Sequence, residues 1–368
     1  MKKYLSCLAL ILILGMALCL LFLSCEESSD AIKIGAIIPL SGAGAYYGEE
    51  ARDGMLMAID EINSLGGVNN KRIELLIEDS KSDPGTGRKG FIKLEEAHKP
   101  LFFVSVLSSV STAVSDEAEK SNVVLFSLIT ADPEITKNKE WTFRIWLTTE
   151  YEVSVIDRIV DKLKIKGLGI LYLDDEYGRS ALRYMKENMQ KHGGGVTSEP
   201  FKSGDTDFKS QVKKLQHLQA VFIVGYTSHL INIVRELRKE NYNGHIITSN
   251  GASTSDVRRL ADFNGVYLAA PLIYNPDFLL ARKLKEEYEK RYGKPFSHFA
   301  ANCYDCIILV ANLLEDQEIS RKNLKTRLEQ GFIHPGVFGD IDVKAGQKDI
   351  PIPLYPARIL NGELDYWE

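Results

Sequence analysis

The chain has 368 residues, enough for two or three domains on length alone. Apolar residues make up 45% and charged residues 26%, an ordinary globular composition rather than a disordered or fibrous one. A formal charge of −5 argues against a nucleic-acid partner, which needs a basic surface.

The N-terminus does not read as globular. Lys2 and Lys3 precede an apolar run from Tyr4 to Leu23, followed by Ser24-Cys25 and the polar stretch Glu26-Glu27-Ser28-Ser29-Asp30. A basic start, an apolar centre and a small residue before the cut make residues 1–24 a secretory signal peptide. Cys25 directly after the run resembles the lipobox of bacterial lipoproteins, in which cleavage leaves an acylated cysteine. Residues 25–30 are then a lipidated tether. The alternative is an uncleaved membrane helix, because the run is just long enough to span a bilayer. On either reading the bulk of the chain is exported, periplasmic or at the cell surface, and held to a membrane. Loss of Lys2 and Lys3 with the signal takes the charge from −5 to −7.

The remaining chain alternates strands and helices. A strand over Ile32 to Ile38 stops at Pro39, and the loop Ser41 to Gly48 leads into a helix ended by Gly66-Gly67. A strand over Arg72 to Asp79 is followed by Asp83-Pro84, a cap and a first-turn proline, and a helix to His98. Leu101 to Leu107 is continuous and apolar, like a strand buried on both faces, and Ser108-Ser109 then opens a helix. Another strand spans 123–127 and ends in a polar turn around Thr130. Two polar turns at the carboxyl ends of buried strands are where open α/β sheets bind ligands, and a helix start favours a carboxylate. Trp141 to Trp146 is extended. The second half repeats the rhythm with strands at 167–173, 196–200, 220–225, 245–248 and 266–270, and a helix from Asp205 to Gln216. Helices at 276–292, 297–315 and 320–330 and a last strand at about 357–361 complete the chain. The alternation predicts an α/β fold of doubly wound parallel sheets. Ten or so strands in two sets of five predict two similar lobes rather than one sheet.

Several motifs carry no chemistry. Gly42-Ala43-Gly44 lacks the third glycine of a dinucleotide fingerprint, since Tyr47 stands there. No phosphate-binding Gly-Lys-Ser/Thr and no Gly-x-Ser-x-Gly elbow occur. No histidine pair has metal-ligand spacing, so no metal and no cofactor are expected. Asp174-Asp175 lies on a strand-to-helix turn, where a cap or a ligand contact suits it better than acid–base work. Cys303 and Cys306 read as small buried residues on one helix face, with a disulfide or a redox pair as alternatives.

Ile34 to Gly42, Tyr47-Gly48, Ala58 to Asn63 and Gly66-Gly67 resemble the opening of the periplasmic solute-binding proteins of the leucine/isoleucine/valine type. The likeness continues through Asp83-Pro84, Ser108-Ser109, Ser127 to Pro133, Asp174 to Gly178 and Tyr304-Asp305, spanning nearly all of 31–368. It implies two α/β lobes joined by three crossing strands, of the type I binding-protein fold. The first lobe is then about 31–147 plus 274–332 and the second about 148–273 plus 333–368. It further implies that Ser108, with Ser109 beside it, and Thr130 with Ala131 hold a ligand carboxylate. Tyr47, Tyr177 and Tyr226 fall where the family places aromatic walls; core packing is the other reading of each. Members that bind amino acids hold the ammonium with an acidic side chain, because a desolvated cation without a partner is costly. The two positions to inspect carry Thr149 and Asn250, with Glu150 adjacent to the first. The implied function is capture of a small amino-acid-like, carboxylate or amide ligand and delivery to an ABC permease, without enzymatic turnover. The alternatives are presentation of ligand to a membrane receptor, and a structural lipoprotein without ligand.

Overall fold

The computed structural model describes residues 31–271 and 279–367. The expected signal peptide, the expected lipidated tether with Cys25, the expected boundary at 273–274 and the start of the helix expected at 276 lie outside the described residues. Among the described residues no helix is long and apolar enough to cross a membrane.

The first lobe is built on a parallel sheet. Its strands are β1 (Ile32–Ile38), β2 (Ile73–Asp79), β3 (Phe102–Val106), β4 (Val124–Leu128) and β5 (Thr142–Ile145), with β13 (Asp349–Ile350) added at one edge, in the order β13-β5-β4-β3-β1-β2. Both β3 and β4 are buried at every position, which is why they read as continuous apolar runs. Helices α1 (Ala45–Ser64), α2 (Pro84–His98) and α3 (Ser108–Ser121) make the crossovers. The α2 start follows its sequence: the Asp83 carboxylate accepts from the Thr86 N–H at 2.7 Å, with Pro84 in the first turn.

The second lobe repeats the plan with α4 (Thr149–Lys162), β6 (Gly167–Leu173), α5 (Glu176–Lys191), β7 (Gly195–Phe201), α6 (Lys209–Leu215), β8 (Ala220–Val224), α7 (Thr227–Lys239), β9 (His245–Thr248), the one-turn α8 (Ser255–Arg258) and β10 (Tyr267–Pro271). Its sheet runs β15-β14-β10-β9-β8-β6-β7, with β14 (Leu354–Leu360) and β15 (Glu363–Tyr366) antiparallel at the edge. The helix expected from Asp205 starts only at Lys209. Asp205 and Asp207 instead accept from the N–H groups of Lys202 and Lys209 and hold a turn.

The C-terminal third returns to the first lobe. Helix α9 is described over Leu279–Tyr292, followed by α10 (His298–Leu314) and α11 (Arg321–Glu329). Helix α10 lies against α1 so closely that a Cβ on Gly54 would stand 2.2 Å from the Ala300 carbonyl oxygen. The expected passage to the second lobe at residue 333 needs correction. The hairpin β11 (Phe332–Gly336) and β12 (Gly339–Val343) docks on α10, where both oxygens of the buried Asp305 accept from the Val337 N–H. The chain then pairs β13 with β5 and enters the second sheet only at Leu354. Phe332, Ile341 and Ile350 line one small apolar pocket together with Ile145 and Leu309.

Candidate functional site

The carboxyl ends of strands from both sheets converge on one cleft, whose empty space, counting the part open to solvent, is about 430 Å³. Leu107 and Ser108 follow β3, Ile129 and Ala131 follow β4, and Trp146 follows β5. From the other lobe come Asp175 and Tyr177 after β6, Gly225 and Tyr226 after β8, and Ser249 to Gly251 after β9. Tyr47 from the first turn of α1 and Phe299 from that of α10 complete the lining.

The strand-to-helix turns aim these groups. Leu107 has φ 76° and Ile129 φ 51°, left-handed conformations that are costly for such side chains. The first swings the chain from β3 directly into α3 and brings Ser108 to the helix start, where its hydroxyl accepts from the Ala131 N–H at 3.3 Å. The second turns Ala131 toward the cavity and Thr130 away from it. Thr130 is fully buried, donating to the Leu128 carbonyl and sharing a hydrogen bond with Ser111, both at 3.0 Å. Its hydroxyl is therefore engaged in the core and does not line the cavity, contrary to expectation. Ser109 is buried beside the cavity rather than in its lining, its hydroxyl against that of Tyr226.

Tyr47, Tyr177 and Tyr226 all line the cavity. Tyr47 packs edge-on against Phe299 at 4.8 Å and Tyr226 at 5.8 Å, so these rings form one wall. Its hydroxyl crosses the cleft, accepting from the Thr227 N–H at 2.9 Å and pairing with Thr227 Oγ1 at 3.0 Å. Burial pushes the Tyr47 hydroxyl up to about 12, so it stays protonated. A second bridge joins Asn250 Oδ1 to His298 Nε2 at 3.3 Å. Burial takes His298 down to about 3, which keeps the imidazole neutral as it stacks on Trp146.

The acidic groups are arranged differently from the expectation. Glu150 is exposed in the first turn of α4 and does not reach the cavity. Thr149 donates to the Ala131 carbonyl at 2.7 Å and braces the β4 turn. The acid that does point inward is Glu152, less than one helical turn beyond Thr149. One of its oxygens accepts from the Asn250 N–H at 2.8 Å and Nδ2 at 2.7 Å; the other accepts from the Tyr177 hydroxyl at 2.7 Å. Burial raises its pKa, and these three donors oppose the rise. Glu152 thus sits behind the cavity wall and fixes Asn250 and Tyr177. Asp175 lines the cavity itself. It caps α5 by accepting from the Gly178 N–H at 2.9 Å, and accepts from the Tyr226 hydroxyl at 3.2 Å. Burial is the main cause that pushes its carboxyl up to about 6, and Glu176 adds to it, against the Gly178 and Tyr226 hydrogen bonds and Arg179. Glu152 and Trp146 were not singled out from sequence, and Asp175 was read only as a cap or contact. The signal for Glu152 was its helical spacing from Thr149.

The site is built to enclose a small solute. Its lining offers a helix start, one carboxylate, hydroxyls and aromatic faces. Ser108 is hydrogen-bonded to a backbone amide rather than to a histidine. Among the described residues no three His, Cys, Asp or Glu side chains group to hold a metal, and Cys303 and Cys306 are free and buried in α10.

Comparison with known proteins agrees with this architecture. The leucine-, isoleucine-, valine-, threonine- and alanine-binding protein of Pseudomonas aeruginosa is 25% identical over 301 residues, 80% of this chain and 80% of its own. The branched-chain amino acid transporter substrate-binding protein LivJ of Streptococcus pneumoniae, solved with isoleucine, has a TM-score of 0.81 at 25% identity, covering 92% of this chain and 100% of its own. A solute-binding protein of an ABC transporter from Rhodopseudomonas palustris, solved with 3,4-dihydroxybenzoic acid, has a TM-score of 0.82 at 20% identity, covering 92% and 96%, a likeness of fold. The sequence pattern of the periplasmic binding proteins matches residues 31–363, and the chain belongs to that family.

Proposed function

We propose that this protein is an extracytoplasmic solute-binding lipoprotein that captures a small carboxylate-bearing ligand by lobe closure and passes it to an ABC permease. The observation that carries the reading is the convergence of strand ends from both sheets on one cleft, with Ser108 at the start of α3. A carboxylate set against that helix start meets unpaired backbone N–H groups and the positive end of the helix dipole. The Ser108 hydroxyl and the Ala131 amide flank it. Tyr47, Tyr177 and Tyr226 enclose the rest of the ligand, and the Asn250 amide, held by Glu152, adds a polar contact. A ligand that touches both lobes favours the closed state by its extra contacts there. The names of the relatives support this class, since isoleucine and a dihydroxybenzoic acid both carry a carboxylate. The lipid anchor rests on Cys25 after the apolar run.

Thermal unfolding of residues 26–368 against amino acids, amides and small carboxylic acids tests the reading. A ligand at a hundredfold excess over its dissociation constant stabilises the folded state by about 2.7 kcal/mol. Folded protein that responds to none of them refutes ligand capture. Fatty-acid labelling of the full chain, lost in Cys25→Ser, checks the anchor.

A further inference from the structure

We propose that Asp175 is the acceptor for a cationic amine on the ligand, so that the captured solute carries an ammonium beside its carboxylate. The inference rests on the carboxylate-capture reading above and narrows it.

Three observations carry it. First, Asp175 is the one carboxylate among the described residues that line the cavity, and no lysine or arginine lines it. Second, the other acids nearby are committed. Glu152 has three donors and lies behind the lining, Glu150 is exposed, and Glu176 pairs with Arg179 outside the lining. Third, each oxygen of Asp175 accepts a single hydrogen bond, one from the Gly178 N–H and one from Tyr226, both neutral donors. A carboxylate accepts about four hydrogen bonds, so two acceptor directions remain for a ligand. Asn250 stands where amino-acid-binding relatives are expected to carry their acid, and its Nδ2 group is already donated to Glu152.

Charge placement favours the same ligand. An amine-free acid would bring a second negative charge into a cavity that already holds Asp175. A zwitterion sets its carboxylate against α3 and its ammonium against Asp175. The groups that act on Asp175 are Tyr226 from the end of β8, Glu176 and Arg179 from α5, and the Gly178 amide. With burial, their sum raises its carboxyl to about 6, so the carboxylate is mostly ionised at neutral pH and becomes protonated below that value. Affinity for an amine-bearing ligand therefore falls as pH drops through about 6, while affinity for an amine-free acid does not fall with it.

The test uses matched pairs: leucine against 4-methylpentanoate, phenylalanine against 3-phenylpropanoate and alanine against propanoate, titrated calorimetrically into the wild type and into Asp175→Asn. Asparagine caps helices as well as aspartate does, and Asp175→Ser serves as a second capping variant. The wild type is expected to prefer the amine-bearing member by on the order of tenfold to a hundredfold, the range of one charged hydrogen bond. Asp175→Asn should erase that preference while still binding the amine-free member. Equal or tighter wild-type binding of the amine-free members overturns the proposal and leaves carboxylate capture standing. So does a preference that survives in folded Asp175→Asn. Binding of neither member of any pair overturns carboxylate capture itself, and this proposal with it.

Discussion

Replacing Tyr47 with phenylalanine removes one oxygen atom and tests closure directly. That oxygen accepts from the Thr227 N–H at 2.9 Å and pairs with Thr227 Oγ1 at 3.0 Å. Thr227 opens α7, so its amide has no partner within its own helix. Tyr47 and Thr227 are buried where the lobes meet; in the open state that the proposed capture by closure requires, water reaches both. The substitution therefore leaves the open state unchanged and strands a buried donor in the closed one. An unsatisfied buried group costs about 1–3 kcal/mol. That penalty depletes the closed form and lowers apparent ligand affinity by about 5- to 150-fold. Thr227→Val is the matched control. It keeps the amide bond to Tyr47 and leaves the Tyr47 hydroxyl without its Thr227 Oγ1 partner, one bond lost against the two that Tyr47→Phe removes. Calorimetric affinities, with small-angle scattering to follow closure, should rank Tyr47→Phe as more damaging than Thr227→Val. Wild-type affinity in Tyr47→Phe, or the reverse ranking, would refute the reasoning.

Two further outcomes follow from buried charge. Arg144 is fully buried and pairs with Asp349 at 2.7 Å, tying β5 to β13. Asp349 is partly exposed and Asp132 also acts on that guanidinium, so Asp349→Ala should cost about 1.5–3 kcal/mol in urea unfolding, the range of a charged hydrogen bond; a loss below about 1 kcal/mol would count against the pair. Burial raises Asp305 to about 8, well above its ordinary value of 3.8. The protonated carboxyl's stabilising contribution is complete below the ordinary value and is lost as pH rises through about 8. Asp305→Asn should therefore melt at a higher temperature than wild type at pH 9, with the gap closing in acid. Parallel melting curves across that range would show that Asp305 does not titrate as its burial requires.

The fold was legible because parallel strands buried on both faces have no solvent side to encode. Phe102–Val106 and Val124–Leu128 could only be read as they folded. Ser108 was legible for a related reason: a hydroxyl directly after such a strand has few places to go but the helix start. Thr130 was misread because the left-handed turn at Ile129 decides which of Thr130 and Ala131 faces the cavity, and nothing in an isoleucine announces that conformation. Glu152 is not legible until the start of α4 is known, because only that start decides which of Glu150 and Glu152 faces inward. Once α4 begins at Thr149, helical geometry points Glu150 to solvent and brings Glu152 round to the cleft. The passage at 333 was misplaced because the hairpin's docking depends on Asp305 and Ile145, far away in sequence. Local pattern carries no trace of contacts between segments that distant.

Leu107 and Ile129 have a consequence for how such a cavity can diversify. Both stand in a left-handed backbone that only glycine adopts freely, and both flank the start of α3. The two turns are over-determined by their surroundings, so drift there is penalised whatever the solute. Tyr47 and Phe299 stand on ordinary helical backbone and present only side chains to the cavity. A substitution at Tyr47 or Phe299 therefore reshapes the cavity without touching a strained backbone, whereas one at Leu107 or Ile129 acts on the turns that frame the helix start.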